Sequence, residues 1–141
     1  MVEENLPEMI ERLERSPSTL LVLNDGSVVF SSSAGGLVPL IDYIDQIPDL
    51  PAKGRVAVDK IVGGAAARLF SYAGIDTVFT PLASRAAVDI CDREGLGLFA
   101  ESVVEAIENP RTGEPCLLEE LSTDFRNNED FYREVKERVN S

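Results

Sequence analysis

Apolar residues near the start of the chain recur at the spacing of a helix. Over residues 5–15 they stand at positions 6, 9, 10 and 13, which is the pattern of an amphipathic helix. Two short apolar runs follow, at 19–23 and 27–30, and Asn-Asp-Gly separates them. Asp-Gly between apolar runs is typical of a β-hairpin, because glycine adopts positive φ without strain. The first thirty residues therefore predict a helix followed by a hairpin with Gly26 at its tip.

Beyond the hairpin, stretches of helical spacing alternate with single apolar runs. Leu37, Leu40, Ile41 and Ile44 predict a helix with Pro39 in its first turn. The other expected elements are a strand at 55–58, a helix at 60–73 stopped by Gly74, a strand at 75–80, a helix capped by Ser84 and ended by Gly95, a strand at 96–99, a short helix from the capping box at 102–105, a helical turn at 116–121, and a surface helix carrying Phe131, Val135 and Val139. Loops are expected at 46–54 and 109–115. This order predicts an α/β fold with a mixed five-stranded sheet, an N-terminal hairpin, parallel later strands and helices on both faces.

The composition narrows the possible functions. The 141 residues have the length of one domain, and the formal net charge is −12, from 25 acidic and 13 basic residues. Nucleic-acid binding needs basic faces, and the chain has no Lys/Arg-rich run, so we expect no nucleic-acid partner. No apolar run approaches the roughly 20 residues that span a bilayer, and the charged start does not resemble a signal peptide. We therefore expect no membrane association and a cytoplasmic location.

Histidine is absent and only two cysteines occur, so we expect no metal site and no cofactor. In the cytoplasm both thiols should be reduced. Cys91 follows Ile90 on an apolar helix face and should lie in the core. Cys116 follows Pro115 and opens a predicted helical turn, where a helix N-terminus lowers a thiol's pKa. Two roles are open for Cys116: a catalytic nucleophile or pocket wall, and a small apolar residue that fills a gap.

Asp59 and Lys60 are the first candidates for a functional site. They follow the predicted strand at 55–58, at the edge where α/β sheets usually keep their ligands. Lys60 could contact an anion or carbonyl or act as a base, and Asp59 could orient the ligand. The alternative is structural, with Asp59 as the N-cap of the following helix and Lys60 in solvent.

Gly63 and Gly64 are candidates for ligand binding. Two glycines early in a helix cost about 1 kcal/mol each relative to alanine, so another interaction should offset them. Close packing on the sheet is the explanation we favour, and approach of a ligand to the backbone N–H groups is the alternative. Arg85, near another helix start, could hold an anionic ligand, although a surface role explains it as well.

The segments DKIVGGAAARLFSYAG (59–74) and GEPCLLEEL (113–121), with the order of elements, resemble an uncharacterised prokaryotic family, domain-of-unknown-function family 1893. The resemblance covers about residues 19–121. It leaves an amphipathic helix at 1–18 and an acidic helical tail at 122–141 as flanking segments. It implies a three-layer α-β-α fold like that of cytidine deaminases, and a pocket lined in part by the Cys116 segment.

Zinc deaminases carry His or Cys before Ala-Glu at one helix start and Pro-Cys-x-x-Cys at the next. Here the first position has Asp59, Lys60 and Ile61. If Pro81 matches the motif's proline, Leu82 and Arg85 stand where the two thiolates should be. None of these residues matches the motif's zinc ligands, so the resemblance supports the scaffold and argues against zinc-dependent deamination.

These observations predict a protein that binds a small polar or nucleotide-like ligand between Asp59–Lys60 and Cys116. Chemical transformation of that ligand without a metal is a further possibility that the sequence leaves open. The alternative is a non-catalytic regulatory or interaction domain that retains the deaminase-like scaffold. A buried Lys60 beside a polar cavity would favour the first function, and a solvent-exposed Lys60 would favour the second. Homo-oligomerisation is left open.

Overall fold

The computed structural model describes residues 5–46, 54–105 and 127–140, which form five helices and six strands. The helices are α1 (Leu6–Arg15), α2 (Val38–Gln46), α3 (Gly64–Tyr72), α4 (Arg85–Glu94) and α5 (Asn128–Asn140). The strands are β1 (Leu20–Asn24), β2 (Ser27–Ser32), β3 (Arg55–Asp59), β4 (Ile61–Val62), β5 (Ile75–Ser84) and β6 (Gly97–Val104). The loop predicted at 109–115, the turn at 116–121 and most of the loop at 46–54 lie outside the described residues. Within the described part, no helix has the length and apolar character needed to cross a membrane.

All six strands belong to one mixed sheet. β1 pairs antiparallel with β2 and with β3, whereas β3, β4 and β6 pair parallel with β5. β3 and then β4 lie along one side of β5, and β6 lies along the other. The mixed sheet with parallel later strands is confirmed. The count differs from the expected five, because residues 61–62 extend the sheet as β4.

Helices cover both faces of the sheet, as predicted. On one face Met9 and Leu13 of α1 pack against Leu21, Val58 and Phe79. On the other face α2, α3 and α4 contribute to the larger core. Residues Phe131 and Val135 of α5 are fully buried in this larger core, so this face of α5 is covered.

The predicted hairpin is present, and its tip has the backbone that the sequence indicated. Asn24 pairs with Ser27, and the two residues between them, Asp25 and Gly26, have φ values of 52° and 80°. Positive φ at both central residues matches the right-handed twist of the strands. Prediction succeeded here because the turn is decided by adjacent residues.

The helix predicted from Lys60 begins four residues later, at Gly64, and its N-cap is Gly63 instead of Asp59. The chain remains extended through Val62, because Ile61 and Val62 pair with Leu82 and Ala83 of β5. Val62 is fully buried, which stabilises this pairing. The interpretation of Asp59 as a helix N-cap was therefore wrong.

The short helix predicted from Ser102 is also wrong. Ser102, Val103 and Val104 belong to β6 and pair with Leu82, Ala83 and Ser84. β5 reaches Ser84, beyond its expected end at Thr80, and offers a continuous partner. Two β-branched valines suit the extended backbone better than a helix.

Candidate functional site

Lys60 interrupts the line formed by β3, which ends at Asp59, and β4, which begins at Ile61. Val58 pairs with Phe79 and Ile61 with Leu82, so the register against β5 is the same before and after the interruption. The N–H groups of Ile61 and Lys60 both approach the Asp59 carboxylate, and the Lys60 N–H also donates to the carbonyl of Thr19 at 3.2 Å. A short polar side chain that bonds the backbone two residues ahead forms a local turn. Asp59 therefore holds the chain's shape at the interruption, while the Lys60 side chain lies in solvent.

Thr80 makes the corresponding turn on the neighbouring strand. Its Oγ1 accepts from the N–H of Leu82 at 3.2 Å and lies 3.0 Å from the carbonyl oxygen of the same residue. Thr80 is fully buried, and Pro81, which follows it, has no N–H to give to a strand partner. Sequence reasoning did not select Thr80, although a Thr directly before Pro in a strand is a visible irregularity.

The electrostatics of Asp59 are unusual for a surface carboxylate. Burial raises the pKa of Asp59 from 3.8 to about 7, and the N–H groups of Ile61 and Lys60 lower it only in part. A carboxyl group with a pKa near neutrality can accept and donate a proton under physiological conditions.

The N-termini of α3 and α4 follow neighbouring strands at the same edge of the sheet. Val62 pairs with Ala83, so the next residues, Gly63 and Ser84, are also in step, about 5 Å apart at ordinary strand spacing. Gly63 caps α3 without a side-chain hydrogen bond. Ser84 caps α4, and its Oγ accepts from the N–H of Ala87 at 3.1 Å. Two helix N-termini side by side create a region of positive potential.

Arg85 adds a full positive charge to this edge. It is the first residue of α4, directly after Ser84, and it is exposed. Of the predicted site residues, the structure therefore brings together Gly63, Gly64 and Arg85. Lys60 precedes Gly63 by three residues, which is about 10 Å along an extended strand. Cys116 lies outside the described residues.

Two of the surface clefts are lined by described residues away from this edge. One is lined by Arg12, Arg15, Ser16, Leu21, Val28 and Ser31, and the other by Ser71, Gly74, Ile75, Asp76, Glu94, Gly95 and Leu96. Neither cleft includes Asp59, Lys60 or Arg85 among its lining residues. Arg85 is exposed at the candidate edge, whereas the first turn of α3 is buried.

The described residues at this edge do not fit a zinc ion. The first helix start has Gly63, Gly64 and Ala65, in place of the Asp59–Lys60–Ile61 segment assumed from the sequence. The second start has Ser84 and Arg85. Neither provides a thiolate, imidazole or carboxylate at the helix start. Within the described residues, no three His, Cys, Asp or Glu residues are grouped so that they could hold a metal ion.

Comparison with known proteins places these features in a family and a fold. The family model "Domain of unknown function (DUF1893)" matches residues 8–139, a wider span than the expected 19–121 and one that contains most of α1 and most of α5. A crystal structure of a DUF1893 family protein, TM1506 from Thermotoga maritima, superimposes with a TM-score of 0.83 at 23% identity, covering 98% of this chain and 92% of that chain. A structure from a study of A-to-I editing by tRNA:A34 deaminases at the wobble position of transfer RNA gives a TM-score of 0.46 at 15% identity, covering 84% and 93% of the two chains. A search of curated proteins found no match.

Proposed function

The chain belongs to the family of the domain of unknown function DUF1893, and we propose that it binds a small anionic ligand at the carboxyl edge of β4 and β5. The ligand class is a small polar or nucleotide-like molecule with a phosphate or carboxylate group. Gly63, Gly64 and Arg85 would hold the anionic group. Asp59 and Lys60 would contact the remainder of the ligand, and Cys116 would line the pocket or act as a nucleophile.

One observation carries this proposal: the N-termini of α3 and α4 are adjacent, and Arg85 belongs to one of them. The pairing of Val62 with Ala83 brings the two helix starts together. Gly63 contributes no side chain between the α3 N-terminus and an approaching ligand. Helix N-termini bind anions through their N–H groups and the helix dipole. An electropositive edge is also uncommon in a chain of net charge −12.

Asp59 extends the proposal from binding to chemistry without a metal. With its pKa raised to about 7 by burial, Asp59 could transfer a proton to or from a bound ligand at neutral pH. This step requires the ligand to extend from the helix starts toward Asp59. An exposed Lys60 could contact the same ligand as a cation.

A non-catalytic interaction domain is the second candidate function, and the surroundings of Lys60 favour it. The Lys60 side chain is exposed, and the Asp59 carboxylate is used in a backbone turn. Both observations match a scaffold without an active site. Exposed apolar side chains on β4 and β6, namely Ile61, Phe99, Val103 and Val104, would then form part of a contact surface.

Titration with adenosine 5′-monophosphate and with inorganic phosphate, followed by calorimetry and amide NMR, tests the proposal. Arg85→Gln should weaken binding about tenfold, because a charge-assisted hydrogen bond is lost. Arg93→Gln is the matched control, since Arg93 is an exposed arginine in the last turn of the same helix.

Lys60→Ala should reduce binding while barely changing the free energy of unfolding. Equal losses in the Arg85 and Arg93 variants, or no amide shifts at residues 63–65 and 85, would contradict the proposal.

A further inference from the structure

One of the two clefts described above lies between α1 and the β1–β2 hairpin, and we call it the hairpin groove. It has a volume of about 330 Å³ and is lined by Arg12, Arg15, Ser16, Leu21, Val28 and Ser31. The groove is shallow and widely open to solvent. β1 and β3 lie between β2 and β5 in the sheet, so this groove is separate from the edge formed by α3 and α4.

The groove exists because α1 does not cover the whole hairpin. Leu21 of β1 packs under α1 and is 3% exposed, whereas Val28 on the edge strand β2 is 47% exposed. Ser31 pairs with Leu21 across the hairpin and brings an exposed hydroxyl to the same wall. The hairpin wall of the groove therefore combines apolar surface with a hydroxyl group.

Two arginines form the opposite wall. Arg12 is partly buried, and its Nη1 donates to the carbonyl of Gly26 at 3.1 Å, which fixes the guanidinium against the hairpin tip. Arg15, one turn further along α1, pairs with Glu11. A guanidinium has five N–H donors, so one such bond does not exhaust either side chain.

The positive charge at the groove is partly balanced, because Arg15 is paired with Glu11. Both of its charged lining residues are arginines, although acidic residues outnumber basic ones by 25 to 13 in the chain. Basic residues in a last helical turn also stabilise the helix dipole. That role explains the two arginine charges, but it does not require the bond from Arg12 to Gly26 or the exposed hydroxyl of Ser31. The hydroxyl of Ser16 lies 2.7 Å from that of Ser18.

We propose that the hairpin groove binds a phosphate monoester that carries an apolar or planar body. The two guanidinium groups would bind the phosphate oxygens, a geometry that arginine matches well. The hydroxyls of Ser16 and Ser31 would add hydrogen bonds, and the body of the ligand would pack against Val28. This site is additional to the one at the helix starts and does not depend on it.

Amide NMR of the full chain, titrated with adenosine 5′-monophosphate and with adenosine, tests the proposal. Signals of Ser16, Val28 and Ser31 report on the hairpin groove, and those of Gly63 and Arg85 report on the helix starts. We expect the groove signals to shift with the monophosphate and much less with adenosine. The two sites therefore succeed or fail separately.

Arg15→Gln should weaken the groove's affinity for the monophosphate about tenfold, and added salt should weaken it further. Arg133→Gln is the matched control, because Arg133 pairs with Glu129 four residues before it in α5, as Arg15 pairs with Glu11 in α1. Arg15 is highly exposed, so its replacement should leave the fold intact. Groove signals that do not move with the monophosphate, or equal weakening by the Arg133 variant, would overturn the proposal.

Discussion

Asp59 and Thr80 occupy the same level of neighbouring parallel strands, and each bonds the backbone N–H two residues ahead. Val58 pairs with Phe79, so Asp59 and Thr80 lie one position beyond that pair. Asp59 accepts from Ile61 and Thr80 accepts from Leu82, and Ile61 and Leu82 are again paired. β3 and β4 therefore keep one register against β5, which continues through Ser84, and this register leads to the neighbouring starts of α3 and α4.

The raised pKa of Asp59 predicts a specific pH dependence of stability. An aspartate in the unfolded chain releases its proton near pH 3.8, whereas folded Asp59 keeps it up to about pH 7. The folded state thus binds more protons between these values, and the stability contributed by protonated Asp59 decreases as pH rises through this window. Asp59→Asn keeps the hydrogen-bond acceptor but cannot titrate. The stability of the variant relative to wild type should therefore be greater at about pH 8 than at about pH 5.

Thermal unfolding of the two proteins across this range measures the effect. Asp89→Asn, which changes an exposed aspartate of α4, is the control and should show no such trend relative to wild type. Parallel curves for wild type and Asp59→Asn would mean that Asp59 is ionised throughout, and the proposed acid–base role would lose its support.

The hairpin tip predicts a destabilising substitution. Gly26 has a φ of +80°, and a Cβ added there would meet no atom within 4 Å, so any cost comes from the backbone alone. Gly26→Val should reduce the free energy of unfolding by about 1–2 kcal/mol, since left-handed backbone is unfavourable for a β-branched residue. Gly35→Val is the matched control, because Gly35 has equal space and ordinary φ. Chemical denaturation that shows equal changes for both variants would contradict the explanation.

Prediction from sequence succeeded where adjacent residues decide the structure and failed where distant strands do. The turn at Gly26 and the cap at Ser84 both follow from local chemistry, and both are present. Asp59 was assigned to a helix start because an N-cap and a turn within a strand use the same bond from a carboxylate to a nearby N–H. Only the pairing of Ile61 with Leu82 distinguishes the two structures.

The candidate site shows the same limit. The residues Gly63, Gly64 and Arg85 were selected from sequence, but their proximity depends on the register between β4 and β5, which are separated by helix α3. The hairpin groove was not predicted. The sequences of α1 and β2 do not show how much of the hairpin α1 covers, because that depends on how the two elements pack.

Arg68 predicts strong coupling between α3 and α5. It is 2% exposed, its Nε donates to Asn128 Oδ1 at 2.9 Å, and its guanidinium lies 4.5 Å from the ring centroid of Phe131. Arg68→Ala should destabilise the protein by at least about 2 kcal/mol, because it removes a large buried side chain and its hydrogen bonds.

A double-mutant cycle with Asn128→Ala measures the coupling. Denaturation of the single and double variants should give an interaction energy of about 1 kcal/mol or more, since the two groups are in direct contact. Arg133→Ala, in an exposed ion pair of α5, should change stability by no more than about 0.5 kcal/mol. Additive effects of the Arg68 and Asn128 variants would mean that Arg68 does not hold α5 through this bond.

Cys91 should be unreactive in the folded protein. Its residue is 2% exposed, and burial, with the charges of Asp92 and Glu94, raises the pKa of the thiol to about 11. The thiolate is the nucleophile, so both the low accessibility and the high pKa oppose alkylation. Brief iodoacetamide treatment near neutral pH, read by mass spectrometry on the Cys116→Ser variant, should leave Cys91 unmodified in the native protein and modify it in denaturant.

The higher reactivity of Cys116 remains a prediction, and labelling of wild type tests it by peptide mapping. Alkylation of Cys91 at the same rate with and without denaturant would show that the face of α4 packed on the core opens readily.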